Sequence, residues 1–165
     1  MIYFDLETDG LNVETCQIIQ IGAVTGEQQF EVKLRFEARE GQAEALALNS
    51  YDETAWQNAA IPPGAALARF AAFLSLHATV PKTSAGGREY KVATLAGHNI
   101  LKFDWPILVR YCALYGCFLP VDFGRVHDTL ELAKWLDLPV PDLKLGTLAN
   151  FFHVAPGGDT HDALV

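Results

Sequence analysis

Apolar and polar side chains alternate at the start of the chain. Ile2, Phe4 and Leu6 fall on one side of this alternation, and Asp5 and Glu7 fall on the other. A period of two residues is typical of a strand that buries one face. Turn-forming residues, Thr-Asp-Gly, follow directly. The pattern therefore predicts a strand over residues 2–7, with both acids on the same side.

The rest of the chain shows strand-like and helix-like patterns in turn. Further strands are predicted over residues 17–25, 28–36 and 92–96, and the short Gly-Glu step between the first two suits a hairpin. Helices are predicted over residues 44–48, 52–58, 65–77, 103–115, 128–136 and 143–152, and an apolar stripe along one face indicates those over 65–77, 103–115 and 143–152. Asp128 is expected to cap one helix and Gly116 to end another. Residues 80–90 are predicted to be a basic loop, with a substrate contact there as one alternative. The order of elements predicts an α/β sheet covered by helices.

Composition favours one globular domain. The chain has 165 residues, of which 50% are hydrophobic, which is enough for one well-filled core over residues 1–165. No apolar run approaches the ~20 residues of a membrane span, and a strand at residue 2 leaves no place for a signal peptide. We therefore expect no membrane partner. Three cysteines without a CxxC motif indicate thiols in a reducing compartment, the cytoplasm.

The charge restricts any nucleic-acid function. With 12 Lys and Arg against 20 Asp and Glu, the formal net charge is −8. Such a chain is a poor candidate for binding long polyanions through counterion release. Nucleic-acid binding must then depend on a local site with metals, on few phosphates, or on a partner.

Asp5 and Glu7 are the first residues that indicate chemistry. Two residues of strand span roughly 6.6 Å, so the two carboxylates can converge on one small volume. There they repel each other and are costly to desolvate, and a divalent cation between them removes both problems. The alternative is that both acids lie at a frayed strand end and face water.

Two later stretches add further polar groups. Asp104 follows a predicted strand end and lies in the first turn of a helix, where α/β sheets place their ligands. Its alternative role is an ordinary helix N-cap. His98 is interpreted as a hydrogen-bonded structural histidine, and Asn99 as a residue that can tie the loop backbone together. His161 follows Pro-Gly-Gly and precedes an apolar Ala-Leu-Val, although a lone histidine near a chain end is usually solvated.

Five motifs occur in a fixed order along the chain. They are FDLETDGL at 4–11, HNILKFD at 98–104, HDTL at 127–130, LGTL at 145–148 and HDAL at 161–164. Together they resemble the DEDDh family of 3′–5′ exonucleases, which includes polymerase proofreading subunits, ribonuclease T and oligoribonuclease. The resemblance covers essentially the whole chain and favours site roles for Asp5, Glu7, Asp104 and His161. It gives no such role to His98 or Asp128.

The resemblance implies a ribonuclease-H-like mixed sheet, with the first strand central and helices on its faces. It also implies two Mg²⁺ or Mn²⁺ ions, roughly 3.5–4 Å apart, at the scissile phosphodiester. By the family's pattern, Asp5 bridges the ions, Glu7 completes the shell of the first, and Asp104 serves the second. His161 takes the proton of the attacking water, a role that imidazole suits near neutral pH.

The implied substrate is a single-stranded 3′ end, from which the enzyme releases one nucleoside monophosphate at a time. Leu11 matches the family's apolar residue that packs against the terminal bases, and Thr8 and Asn99 are expected substrate contacts. The choice between DNA and RNA stays open, because it depends on contacts to a 2′-hydroxyl. A polymerase is an expected partner of such a domain.

The chain departs from the family pattern at two positions, and the second departure favours an alternative function. Asp9 stands where many members carry Thr, which adds negative charge beside the site. The family's last metal-binding Asp would fall at position 166, one residue after Val165. We expect a helix to begin near residues 159–160, to continue past Val165 and to carry an Asp at position 166. The alternative is a non-catalytic domain that binds nucleic acid or a polymerase without cleaving.

Overall fold

A computed structural model describes residues 1–49 and 51–154. Within these residues lie six strands and six helices. They are β1 (Ile2–Thr8), β2 (Ile18–Thr25), β3 (Gln28–Lys33), α1 (Ala43–Leu48), α2 (Glu53–Ala59), α3 (Pro63–Leu76), β4 (Val80–Thr83), β5 (Glu89–Gly97), α4 (Asp104–Tyr115), β6 (Val121–Asp128), α5 (Thr129–Leu136) and α6 (Leu145–Phe151).

The strands form one mixed sheet with β1 at its centre. The strand order is β3-β2-β1-β5-β4, and β6 pairs with β5. β1 is antiparallel to β2 and parallel to β5, and β5 is in turn parallel to β6. The predicted α/β architecture with a central first strand is confirmed.

The core explains why β1 occupies the centre. Ile2, Phe4 and Leu6 are buried on one face of the strand, as the alternation predicts. They share a core cluster with Leu67 and Phe70 of α3, and the rings of Phe4 and Phe70 lie 6.1 Å apart. Each such side chain contributes about 1.5–3 kcal/mol on burial. The buried apolar face therefore holds in place the strand that carries Asp5 and Glu7.

The segment predicted to be a basic loop is instead part of the sheet. Val80 pairs with Val92 and Thr83 with Glu89, so β4 and β5 form a hairpin with its turn between them. The loop prediction for residues 80–90 is wrong because Pro81 and exposed charged side chains are also features of an edge strand. Lys82 of this hairpin forms an ion pair with Asp122, at 2.5 Å.

β6 was not predicted at all. In this strand Val126 and Asp128 are buried, whereas most of the other side chains are partly or fully exposed. The apolar alternation that normally indicates a strand is therefore weak.

The remaining boundaries differ little from prediction. β3 ends at Lys33 rather than at residue 36, and α3 begins two residues early, with Pro63 in its first turn. Gly116 ends α4 in the left-handed conformation, at φ 63°, as predicted. The helix expected near residues 159–160 lies outside the described residues. Among the described helices, none is long and apolar enough to cross a membrane. All three cysteines are free thiols, one buried and two partly buried.

Candidate active site

The candidate site lies beside the end of β1, beyond the point where β1 stops pairing with β5. β1 pairs with β5 at Ile2 and Tyr3, and the chain that leaves β5 then turns into α4. Asp104 is the first residue of α4 and is 3% exposed. Its Oδ1 accepts a hydrogen bond from the backbone N–H of Leu6, at 3.1 Å. Asp104 thus lies against the stretch of backbone that joins Asp5 to Glu7.

A close backbone crossing makes this arrangement possible. At Gly97, the last residue of β5, a Cβ atom would lie 2.7 Å from the carbonyl oxygen of Phe4 and 2.3 Å from Cγ2 of Ile100. Both contacts are far inside van der Waals distance. Only glycine allows the end of β5 to approach β1 this closely, so Gly97 sets the path of the loop that leads to Asp104.

Asp128 fastens the same loop from the other side. Its carboxylate accepts hydrogen bonds from the backbone N–H groups of Asn99, at 2.9 Å, and Leu101, at 3.1 Å. It also accepts from the N–H of Leu130 at 2.8 Å, which confirms the predicted helix cap. Asn99 adopts a left-handed conformation, with φ at 61°. One buried carboxylate therefore joins the loop before α4 to the start of α5.

Burial raises the pKa values of two acids at the site, and repulsion by neighbouring carboxylates adds to the increase for Asp104. Burial chiefly, and then the negative charge of Asp5, raises the pKa of Asp104 to about 8, and Glu7 adds a smaller effect in the same direction. Burial raises the pKa of Asp5 to about 6, although part of this side chain still faces solvent. Glu7 is itself buried, at 8% exposure. Together these acids favour a proton or a cation at the end of β1.

The donor chemistry suits a hard divalent cation. Carboxylate oxygens are the ligands that Mg²⁺ and Mn²⁺ prefer, and the negative charge of Asp5 beside Asp104 favours a positive charge there. Over residues 1–49 and 51–154, however, no group of three or more His, Cys, Asp or Glu side chains stands ready to hold a metal ion. The described residues fit the ion by chemistry, but they do not form a finished coordination shell.

This geometry excludes one alternative from the sequence, for Asp104, and contradicts another in part, for Glu7. Asp104 is not the helix cap, because the capping position belongs to Phe103 and the Asp104 carboxylate bonds to β1 instead. The other alternative placed both Asp5 and Glu7 at a frayed end facing water; both residues lie in a paired strand, but Glu7 is buried and Asp5 is exposed. The structural role of His98 is confirmed: its Nδ1 lies 3.0 Å from the hydroxyl oxygen of Thr129, which donates to the carbonyl of Gly97.

The predicted substrate residues fall at different places. Leu11 is 88% exposed on the turn that follows β1. Thr8 is buried, and its hydroxyl donates to the carbonyl oxygen of Gly10 at 2.8 Å. Asn99 lies in the loop fastened by Asp128. His161 lies outside the described residues.

Asp9 is the residue whose role sequence reasoning missed. It was expected to add negative charge beside the site, but its carboxylate is buried and accepts three hydrogen bonds from two glutamines. These come from the backbone N–H of Gln17 at 2.5 Å, Nε2 of Gln17 at 2.7 Å and Nε2 of Gln42 at 2.5 Å. Gln17 and Gln42 lie eight and thirty-three positions after Asp9 in the sequence, so no spacing pattern could have indicated the network.

The six-stranded mixed sheet, with a central first strand and flanking helices, is a ribonuclease-H-like fold. Solved structures of exonuclease I share it. With E. coli exonuclease I bound to a dT13 oligonucleotide, the TM-score is 0.74 at 15% sequence identity, over 98% of this chain and 37% of that one. With the zinc-bound complex of E. coli exonuclease I and single-stranded DNA, it is 0.71 at 16% identity, over 98% and 36%.

These likenesses concern the fold, because the sequence identities are low. The chain spans less than two fifths of the length of both exonuclease I chains. No protein-family model matches the chain. No curated protein sequence matches it either.

Proposed function

We propose that this chain is a metal-dependent 3′–5′ exonuclease that hydrolyses phosphodiester bonds at single-stranded 3′ ends and releases nucleoside monophosphates. The observation that carries the proposal is the hydrogen bond from the Leu6 N–H to Asp104. It brings a third acid to the strand that holds Asp5 and Glu7, within a fold shared with exonuclease I.

Each site residue has a specific task in this proposal. Asp5, Glu7 and Asp104 hold two Mg²⁺ or Mn²⁺ ions through carboxylate oxygens. Bound ions supply positive charge to the attacking and leaving oxygens of the phosphodiester. His161 accepts the proton of the attacking water, as the family resemblance implies. Leu11 offers apolar surface to the terminal base.

Single-stranded DNA is the substrate that the comparisons favour. Structures of exonuclease I that share this fold contain dT13 or single-stranded DNA. With a net charge of −8, this chain should contact few phosphates beyond the 3′ end. RNA is the substrate to compare directly, because one 2′-hydroxyl separates the two.

One observation favours the second candidate, a non-catalytic domain that binds nucleic acid or a polymerase. Across the part of the chain that the structure describes, no three acidic, His or Cys side chains are arranged as a metal site. A domain that had lost its metals could still present Leu11 and the turn around it to a 3′ end.

The test uses oligonucleotides of matched sequence, dT and rU, labelled at the 5′ end, with Mn²⁺ or Mg²⁺. The proposal expects a ladder that shortens from the 3′ end, free mononucleotides, and loss of both in EDTA or with Asp104→Asn. Glu14→Gln, an exposed acid near the same turn, is the control for the lost charge. Binding without cleavage would support the non-catalytic candidate. If the protein neither bound nor cleaved the oligonucleotides, both candidates would be excluded.

A further inference from the structure

The ladder between β1 and β2 is irregular directly after Glu7. Glu7 pairs with Gln20, but the next residue, Thr8, pairs with Ile18. β2 therefore contributes one extra residue, which is the definition of a β-bulge. A bulge bends the strand that carries the extra residue, here β2, increases the local twist of the pair, and can change the direction of a nearby side chain. The direction of Glu7, and the path of the turn beyond it, depend on whatever holds this bulge in place.

Asp9 closes the ladder on the far side of the bulge. Its backbone N–H donates to the carbonyl oxygen of Gln17 at 3.0 Å, and its Oδ1 accepts the backbone N–H of Gln17 at 2.5 Å. Both bonds join the same two residues, so they fix where β1 ends relative to the start of β2. The connection between the strands, which carries Leu11, begins from this fixed point.

The second carboxylate oxygen of Asp9 fastens a neighbouring segment. Oδ2 accepts from Nε2 of both Gln17 and Gln42. Each of these side-chain amides also donates to the carbonyl of Glu37, at 2.8 Å and 3.0 Å. Further along, Nδ2 of Asn49 donates to the carbonyl of Thr8 at 2.8 Å. The segment from residue 37 to residue 49 is thus tied to the end of the strand that carries the acids.

Only an acceptor with two oxygens serves all of these donors. An ionised carboxylate accepts at both oxygens, whereas an amide of the same shape presents an N–H₂ group on one side. In Asp9→Asn, that group would face the amide donors of Gln17 or Gln42. Buried donors left without an acceptor are destabilising, so the network would rearrange.

We infer that Asp9 is a positioning residue of the proposed active site. It touches neither metal nor substrate; it fixes the bulge that directs Glu7 and the turn that presents Leu11. The inference rests on the proposed function, because positioning has a kinetic meaning only if the site cleaves.

The test compares Asp9→Asn with Glu14→Gln, which removes the same charge from an exposed residue of the same connection. At a temperature well below both melting points, Asp9→Asn should lower kcat roughly tenfold or more, since small misplacements have large effects on rate. KM for the oligonucleotide should change less than kcat. Glu14→Gln should match the wild type. A lower melting temperature with unchanged kcat for each folded molecule would mean a merely structural role and would overturn the inference.

Two further measurements keep the result decisive. If Asp9→Asn does not fold, Gln42→Met removes one of the three donors to Asp9, together with the bonds of Gln42 to Arg39 and Glu37, and should give a smaller loss in kcat. If the wild type does not cleave, the proposed function fails. NMR then tests separately whether Asp9 positions Glu7 and Leu11. Shifted amide resonances of Glu7 and Leu11 in Asp9→Asn would support it, and unmoved ones would overturn it.

Discussion

The backbone N–H of Leu6 donates to the carboxylate of Asp104 at 3.1 Å, across 98 positions of the sequence. This bond makes the central strand and the first turn of α4 parts of one site. The backbone donor stabilises the buried carboxylate, whereas the two neighbouring acids repel it and raise its pKa, so the site favours a proton or a cation there. The predictions below follow from this arrangement.

Asp5→Asn should abolish Mn²⁺ binding and cleavage while the fold is kept, because it removes a proposed ligand and one source of carboxylate repulsion. Without metal, the variant should be at least as stable as the wild type. Calorimetric titration with Mn²⁺ is the measurement, and Glu14→Gln is the charge control. Unchanged Mn²⁺ affinity in Asp5→Asn would remove the metal site from β1.

The metal-free protein should lose stability as the pH rises. The folded-state pKa of Asp104 is raised from 3.8 to about 8, so the folded protein holds a proton that the unfolded chain releases near its ordinary pKa. The stability linked to this proton is fully present below about pH 4 and is lost as the pH rises through the raised pKa, by an amount on the order of 1–3 kcal/mol.

Urea unfolding in EDTA between pH 5 and pH 8 would measure this loss. Asp104→Asn should flatten the dependence, and Mn²⁺ should restore stability at the higher pH. A wild-type stability that increased over the same range would show that Asp104 is ionised in the metal-free fold.

Gly97→Ala should destabilise the protein by about 2 kcal/mol or more, because its Cβ would meet the backbone of β1. Activity should fall with it, since the loop to Asp104 must move. Gly86→Ala is the matched control, because a Cβ there meets no atom within 4 Å. Denaturant midpoints of both variants give the comparison, and equal midpoints would contradict the close crossing.

Asp128→Ala should lower both stability and activity. It removes a helix cap, which costs about 1 kcal/mol, and it also releases the two loop amides that hold the path to Asp104. Asp52→Ala removes the corresponding cap of α2, where the carboxylate accepts from the Ala55 N–H at 2.6 Å. That control should lose stability alone. A loss of activity that is the same in both variants would argue against a special role for Asp128.

Oligonucleotide affinity should reach its limit within a few nucleotides of the 3′ end and should depend weakly on salt, because the chain carries a net charge of −8. Fluorescence anisotropy with dT oligomers of increasing length, at several salt concentrations, measures both properties. Affinity that kept increasing with length, with a steep salt dependence, would indicate a long phosphate-binding surface instead.

Local pattern was sufficient for the central strand and for the helices. Ile2, Phe4 and Leu6 alternate clearly because one face of β1 is buried, and the stripe of α3 repeats for the same reason. β4 and β6 could not be found in this way, because at the sheet margin much of their surface faces solvent and the apolar period is lost. Edge strands are specified by their neighbours more than by their own residues.

The candidate site was predictable in part for a related reason. Asp5 and Glu7 stand out as acids in an apolar strand, and the motif order identified Asp104. The role of Asp9 could not be predicted, because it depends on three donors that the fold alone brings together. His161 stays a prediction, outside the residues that the structure describes.

The parallel pairing of β1 with β5 has a consequence for how the protein is made. β1, β2 and β3 are neighbours in sequence and pair through short connections, so they can form while the chain is still being synthesised. Asp104 can join them only after α3, β4 and β5 have been built and a long loop has closed. A nascent chain therefore carries Asp5 and Glu7 without their third partner. Divalent ions should consequently bind tightly late in folding, once the sheet is complete, and should not guide its early steps.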